Sequence, residues 1–264
     1  MHYRLLLLFL VVGSGTAAAQ YQDRIDSGRP AQYFGARSVG NNVFQVQSGL
    51  QTNFADHASI RNYTPTVFNN IFRYGIHERV ELRFTLDYAW TRYQLPNDGF
   101  AGANGFSDAQ VGLRVNLYDG ADGLAVGAQS TLLLLDTDPD FRRATLGSNW
   151  LVSATRPLSD KLGAGVNLFA VWAGDGRGDA TWNYAAFLTY NLTDDLVPFV
   201  EVFGPLNDGA RVDFNFGLGY LIGDDLQLDL YAGWVEGLED ADFFLSAGVS
   251  WRLDWRETPG AVPD

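Results

Sequence analysis

Eight charged residues stand at alternate positions within otherwise apolar stretches of this 264-residue chain. Because side chains alternate between the two faces of a strand, each stretch predicts a strand with one apolar and one polar face. Buried charges of both signs persist when they are paired and hydrogen-bonded, so we expect the arginines among them to bridge the carboxylates. Such pairs would either fill the interior or set the selectivity of a pore. The eight residues are Glu81, Arg83, Asp87, Arg114, Glu201, Asp213, Asp229 and Arg252.

Other residues able to do chemistry form weaker patterns. Beyond the first twenty residues the only histidines are His57 and His77, both in predicted connections, and no Ser is expected opposite either. A Ser–His hydrolase of the outer-membrane phospholipase type is therefore disfavoured. The stretch DTDPD (136–140) begins like a calcium loop but lacks the central Gly, and Gly147 stands where the bidentate Glu belongs. The RGD at 177–179 lies in a flexible Gly/Asp loop. We predict no catalytic residue, metal or cofactor.

The strand RVELRFTLDYAW (79–90) shows what the charges imply. Phe84 and Leu86 share a face with Val80, and Glu81 and Asp87 share the other. In a soluble sandwich the apolar face points to the core; in an outer-membrane barrel it points to lipid and the charges point to the lumen.

The connections favour the barrel. Twelve strands of this type follow one another between residues 43 and 254, and short connections rich in Asp and Gly alternate with longer ones. Short periplasmic turns and longer outside loops are typical of an up-and-down barrel in the outer membrane, whereas a Greek-key sandwich has no reason to alternate. We predict an all-β chain forming a single antiparallel transmembrane barrel of about 12 strands.

Aromatic residues near the strand ends support the same fold, since two belts of rings are expected at the lipid headgroup levels. Ordinary core aromatics of a soluble β protein would be scattered along the strands. The first predicted belt, beside the long connections, contains Trp90, Trp150, Trp172, Trp182 and Trp234; the second, at the opposite rim, contains Tyr74, Tyr118, Tyr190, Tyr220 and Trp251.

The N-terminus predicts export. Arg4, the apolar run 5–12 and the small residues Ala17 and Ala19 form the pattern of a secretory signal peptide over residues 1–19. The chain contains no Cys, so no disulfide can stabilise it. Its formal charge of -13 argues against a nucleic-acid partner; the expected partners are the lipid bilayer and a small-molecule solute.

Residues 20–42 have no strand pattern and are polar and rich in Gly. We expect them to form either a periplasmic arm or a plug inside the lumen. Several glycines of the predicted strands, among them Gly127 and Gly248, face inward and leave room for large neighbours, a ligand or an inserted segment. Residues 43–254 form the predicted barrel, and residues 255–264 a C-terminal tail.

The stretches FRYGIHERVELRFTLDY (72–88), GFSDAQVGLRVNL (105–117), LVPFVEVFG (196–204) and LQLDLYAGW (226–234) resemble the outer-membrane "MetA-pathway of phenol degradation" transporter-like family. The resemblance covers about residues 65–254. It implies an outer-membrane barrel, sometimes linked to uptake of aromatic compounds, and makes Glu81, Asp108, Glu201 and Asp229 recurring acidic positions. The chain departs from the family pattern at Ser107, where Gly is common, and in running past Leu253 rather than ending on an aromatic.

Three functions fit these observations. The first is a passive channel or transporter for small molecules, including aromatic or apolar compounds. The second is a non-conducting barrel that serves as a structural or binding surface. The third, a soluble periplasmic β protein, would be released from cells without detergent.

Overall fold

The computed structural model describes residues 24–29, 31–57, 60–63, 65–94, 99–135, 137–207, 209–235 and 242–256. Within them, twelve long strands pair in sequence order, each antiparallel to the next. The strands are β1 (Val43–His57), β2 (Thr66–His77), β3 (Val80–Trp90), β4 (Asn104–Asp119), β5 (Ala125–Leu133), β6 (Gly147–Pro157), β7 (Leu162–Trp172), β8 (Thr181–Tyr190), β9 (Leu196–Pro205), β10 (Asp213–Ile222), β11 (Leu226–Val235) and β12 (Asp242–Asp254).

The sheet closes on itself because β12 pairs with β1. The register runs from Val43 opposite Asp254 to Phe54 opposite Phe243. Closure leaves neither strand with a free edge inside a bilayer, where an unpaired backbone group is costly. The predicted single up-and-down barrel of about twelve strands is confirmed.

Short and long connections alternate around the barrel and define two rims. The short-turn rim carries the connections 78–79, 120–124, 158–161, 191–195 and 223–225. The longer connections leave the strands at the long-loop rim, after His57, Trp90, Leu133, Trp172, Pro205 and Val235. The short strands Ile60–Tyr63, Tyr93–Gln94 and Phe100–Ala101 extend the sheet beyond β1 at the long-loop rim, and Pro139–Phe141 forms a 3-10 helix there. β1 and β4 are the longest strands, with 15 and 16 residues.

The two faces of the wall carry opposite chemistry, as β3 illustrates. Leu82 and Phe84 are exposed on the outer surface, at 45% and 41%, whereas Glu81 is fully buried and Arg83 nearly so. Large apolar side chains are exposed in this way along the other strands too, for example Val166, Val200 and Leu230. An apolar outside around a polar inside is stable in lipid rather than in water. Among the described residues, no helix is long and apolar enough to cross a membrane.

Leu230 provides a test of the outer face. It lies in the middle of β11 and is 55% exposed, so Leu230→Arg is expected to destabilise the barrel by about 2–4 kcal/mol in phospholipid vesicles. Leu192→Arg, just beyond β8 at the short-turn rim, is the matched control and should cost about 0–1 kcal/mol. Urea unfolding followed by tryptophan fluorescence measures both. If both substitutions lowered the free energy of unfolding equally, Leu230 would not face the lipid.

Candidate functional site

One half of the inner wall, formed by β1–β5, is polar because its inward positions alternate with the lipid-facing ones. The buried side chains there include Gln45, Gln47, Arg73, Glu81, Arg83, Arg114, Asn116, Gln129 and Thr131. Several of them satisfy one another: Arg114 donates to Gln129 at 2.9 Å, and Gln129 donates to Thr131 at 3.0 Å.

Glu81 lies at the centre of an arginine cluster formed with Arg73, Arg83 and Arg114. Arg73 donates to both carboxylate oxygens, from Nε at 2.9 Å and from Nη2 at 2.8 Å. Arg83 donates from Nη1 to Oε1 at 3.1 Å, and Arg114 Nε lies 4.0 Å from the same oxygen. The Val39 N–H donates to Oε2 at 2.8 Å. Because Arg73, Arg83 and Glu81 are each at most 5% exposed, these bonds act in a low dielectric and hold the wall rigidly.

Arg73 was absent from the charged residues singled out in the sequence. The stretch 66–76 alternates less cleanly than its neighbours, because Asn69 and Asn70 interrupt it. A local signal was present: Arg73 stands between the outward-facing Phe72 and Tyr74. In the structure it is directly opposite Arg83 in the β2–β3 register, which brings both guanidiniums to the same carboxylate.

The other half of the inner wall, formed by β6–β12, combines buried apolar clusters with buried polar side chains such as Asn167, Glu201 and Asp229. Leu151, Phe169 and Ala185 form one buried cluster, and Phe199, Tyr231 and Phe244 form a second. Phe203 packs against both clusters. The inward aromatic residues on β7–β12 were not among the predicted lumen residues, because alternation of residue types does not identify an aromatic side chain that faces inward.

Residues 24–29 and 31–42, called the N-terminal segment below, lie against the inner wall and have no regular secondary structure. Asn167 accepts a hydrogen bond from the Phe34 N–H at 2.7 Å and donates one to the Phe34 carbonyl at 3.0 Å. Glu201 accepts one from the Gln32 N–H at 2.9 Å. Both wall residues sit midway along their strands, so the segment reaches the middle of the barrel.

Arginines of the N-terminal segment bind carboxylates at three heights. Arg29 and Asp229 form a buried pair at 3.1 Å, and Ser246 also accepts from Arg29 at 3.0 Å. Nearer the short-turn rim, Arg37 pairs with Asp119 at 2.9 Å. At the rim itself Arg24 pairs with Asp195 and Asp224, at 2.9 and 3.0 Å. Hydrogen bonds to Asp224 and then Asp195 raise the pKa of the Arg24 guanidinium, which stays charged.

Inward glycines make room for the N-terminal segment. Gly49 and Gly248 are directly opposite each other where β1 meets β12, and the Arg29 guanidinium fills the space above them. A Cβ on Gly49 would come within 2.1 Å of that guanidinium, and a Cβ on Gly248 within 2.4 Å. A Cβ on Gly127 would lie 2.2 Å from the Ala36 carbonyl oxygen. The wall is therefore shaped to the segment as well as bonded to it.

Two cavities lie inside the barrel, on opposite sides of residues 31–35. The cavity toward the short-turn rim has a volume of about 520 Å³ and is lined by Ala31, Tyr33 and Gly35 of the segment. The cavity toward the long-loop rim has a volume of about 420 Å³ and is lined by Gln32 and Phe34. Along residues 31–35, successive side chains therefore face one cavity and then the other.

The remaining predicted lumen residues have partners of several kinds. Asp87 accepts from Asn69 at 2.6 Å, and Asp213 pairs with Arg211 at 2.8 Å. Arg252, which was expected to bridge one of the inward strand carboxylates, pairs with Asp225 of the 223–225 turn, at 2.7 Å. Alternation predicts which face a side chain takes, but not how a turn residue folds back toward it.

The ten predicted belt aromatics lie at the two rims, on the outer face. Trp90, Trp150, Trp172, Trp182 and Trp234 lie near the long-loop rim, and Tyr74, Tyr118, Tyr190, Tyr220 and Trp251 near the short-turn rim. Trp234 is half-buried because it stacks on Phe214 and Phe216, with ring centroids 5.0 and 6.0 Å away. Their role as headgroup anchors remains a prediction.

The two histidines and Asp138 of the DTDPD stretch lie in or beside strands. His77 ends β2 and its Nδ1 accepts from the Arg79 N–H at 3.2 Å. His57 ends β1, so neither histidine lies in a connection as predicted. Asp138 accepts from the Phe106 N–H at 2.6 Å. Among the described residues, no group of three or more His, Cys, Asp or Glu could hold a metal ion.

These features define an outer-membrane β-barrel whose lumen contains part of its own N-terminal region. The chain belongs to the family described as "Putative MetA-pathway of phenol degradation", whose model matches residues 27–253. The match begins within the N-terminal segment, well before the stretches that carry the resemblance in the sequence.

Solved structures show the same fold at low sequence identity. An outer membrane channel from Pseudomonas putida F1 is 13% identical, with a TM-score of 0.61, covering 85% of this chain and 99% of that one. The NanC porin is 13% identical, with a TM-score of 0.54 and coverage of 80% and 100%. The KdgM porin is 10% identical, with a TM-score of 0.50 and coverage of 78% and 98%. No curated protein matches the chain.

Proposed function

We propose that the protein is a passive outer-membrane channel for small molecules with an aromatic or apolar part, and that its N-terminal segment is a plug that divides the lumen. The observation that carries the proposal is the pair of cavities separated by residues 31–35. A barrel filled by its own side chains would have no room for two cavities, whereas a channel narrowed by a plug has one on each side.

The linings of the cavities support the solute class. Phe169, Phe203 and Phe244 provide aromatic faces in the cavity toward the long-loop rim, with Asn149 and Asn183 beside them. Small-molecule sites are mostly apolar with a few polar groups, in volumes of about 300–1,000 Å³. The cavity toward the long-loop rim therefore suits a small ring compound that carries a polar group. The cavity toward the short-turn rim is more polar, with Arg29, Arg37 and Gln227 in its lining.

Orientation follows from the rims. Short turns face the periplasm in outer-membrane barrels, so the short-turn rim is periplasmic and the long-loop rim faces outward. Residues 1–19, which lie outside the described ranges, would serve as the signal peptide. Transport down a gradient through such a barrel needs no catalytic residue or cofactor, and we assign none. The solved relatives share only the fold, so the cavities rather than the relatives support this function.

Swelling of proteoliposomes tests the proposal. Liposomes containing the protein should swell faster in an isotonic small aromatic alcohol than in a non-aromatic polyol of similar mass, relative to protein-free liposomes. Phe203→Asn, on the cavity wall, should reduce that preference severalfold. Phe214→Asn, on the outer face, is the matched control and should leave the preference unchanged. Absence of swelling with every solute would support a non-conducting barrel instead.

A further inference from the structure

We infer that the inner wall is a binding site for a polypeptide segment, which residues 26–29 and 31–39 occupy as an intramolecular ligand that a second peptide of the same chemistry can replace. The partner class is a short peptide with an arginine and, five positions later, an aromatic residue, matching Arg29 and Phe34. The inference rests on the proposed function only in taking the N-terminal segment as the plug.

The wall binds the main chain of the segment much as a neighbouring strand would. Asn167 pairs with both the N–H and the carbonyl of Phe34, and Glu201 pairs with the N–H of Gln32. Bonds to alternate residues on one edge are the pattern by which proteins add an extended peptide to a sheet. Here side chains of the wall replace the backbone of the receiving strand.

Further main-chain contacts continue toward the short-turn rim. Gln227 donates to the Arg29 carbonyl at 2.7 Å, and Arg73 donates to the Asp26 carbonyl at 2.9 Å. On the returning arm, Glu81 accepts from the Val39 N–H. None of these bonds depends on the side chain of the segment residue it holds, so the wall recognises the backbone itself at five residues spread along the segment.

Two side chains of the segment are recognised specifically. Arg29 enters the space above Gly49 and Gly248 and pairs with Asp229. Phe34 is covered by two guanidiniums of the arginine cluster, with Arg83 and Arg114 lying 5.3 and 5.7 Å from its ring centre. A desolvated guanidinium over an aromatic ring is a favourable contact, so an arginine and a ring at this spacing are what the wall accepts.

Exchange requires no threading, since both arms of the segment reach the same rim. The Ile25 N–H donates to the Asp224 carbonyl in the 223–225 turn, and Ser38 Oγ donates to the Glu78 carbonyl in the 78–79 turn. The segment therefore enters the barrel as a loop from the short-turn rim. A second peptide can enter from that rim once the loop withdraws.

Binding of a fluorescein-labelled peptide with the sequence of residues 24–40 to the full-length protein tests the inference. Because the tethered segment competes at millimolar effective concentration, the protein should carry Arg29→Ala, which weakens only its own segment. The natural-sequence peptide is expected to bind this variant at least tenfold more tightly than the same peptide carrying Arg29→Ala. Fluorescence anisotropy gives both affinities and does not depend on conduction, so it can fail while the channel function holds.

A reversible disulfide bond between the N-terminal segment and the wall provides the control. Ser27 Oγ and Ser250 Oγ are 2.6 Å apart, and the chain has no other thiol, so Ser27→Cys with Ser250→Cys should form a single disulfide between segment and wall. Added to the Arg29→Ala protein, the oxidised pair should abolish peptide binding and a reductant should restore it. Equal binding of the two peptides, binding to the oxidised protein, or no binding at all would overturn the inference. Should Arg29→Ala fail to fold, Arg37→Ala with its matching peptides repeats the comparison at Asp119.

Discussion

Replacing Glu81 with glutamine is expected to destabilise the barrel by about 3–5 kcal/mol, the usual cost of leaving a buried ion pair with one partner. Glutamine has nearly the same shape, so the loss is one of charge. Arg73 donates two bonds to the carboxylate and Arg83 one, and neither guanidinium is more than 5% exposed. Without the carboxylate, adjacent positive charges would remain in the wall with no water to screen them.

Urea unfolding in phospholipid vesicles measures this effect, with Asp122→Asn as the matched control. Asp122 pairs with Arg156 at 3.2 Å on the surface, where both side chains are at least half exposed, so its loss should cost about 0–1 kcal/mol. Adding Arg83→Gln to Glu81→Gln should recover part of the stability, because it removes one of the unbalanced charges. A Glu81→Gln cost no larger than that of Asp122→Asn would show that the arginine cluster does not hold the wall together.

The residues that sequence reasoning placed well are those governed by local alternation. Phe84 faces outward and Glu81 inward because consecutive side chains of a strand must take opposite faces, and closure of the barrel does not change that. The same rule found the twelve strands and the alternation of turns and loops. The rule cannot predict that Arg252 pairs with Asp225, because Asp225 lies in a turn, where side chains do not alternate between two faces.

The path of the N-terminal segment could not be predicted for a related reason. Arg29 and Asp229 are 200 residues apart in the chain, and no local pattern connects them. The sequence did contain indirect signs: inward glycines at Gly127 and Gly248, and recurring acids in the family resemblance. The structure explains both, since the glycines leave space for the segment and Glu81, Glu201 and Asp229 bind it. Asp108, the fourth recurring acid, pairs with Arg143 instead.

Gly248→Leu is expected to raise the single-channel conductance severalfold by displacing the N-terminal segment. Even a Cβ at this position would approach Arg29 to 2.4 Å, and a leucine would take the volume that the guanidinium fills. Arg29 would then lose its bonds to Asp229 and Ser246. The contacts of Gln32 and Phe34 would hold the segment less firmly, so the two cavities would join for a larger share of the time.

Planar bilayer recordings of Gly248→Leu measure the change, and Gly178→Leu is the matched control because a Cβ there meets no atom within 4 Å. The double variant Arg29→Ala with Gly248→Leu separates displacement of the segment from damage to the wall. If the leucine acts only by excluding Arg29, the double variant should conduct like Arg29→Ala alone and be no less stable. If the double variant is much less stable than Arg29→Ala, the leucine disturbs the pairing of β12 with β1, and the space above Gly248 serves closure of the barrel rather than the plug. An unchanged conductance in a stably folded Gly248→Leu protein would mean that the segment does not restrict the path, and that solutes pass beside it along the wall.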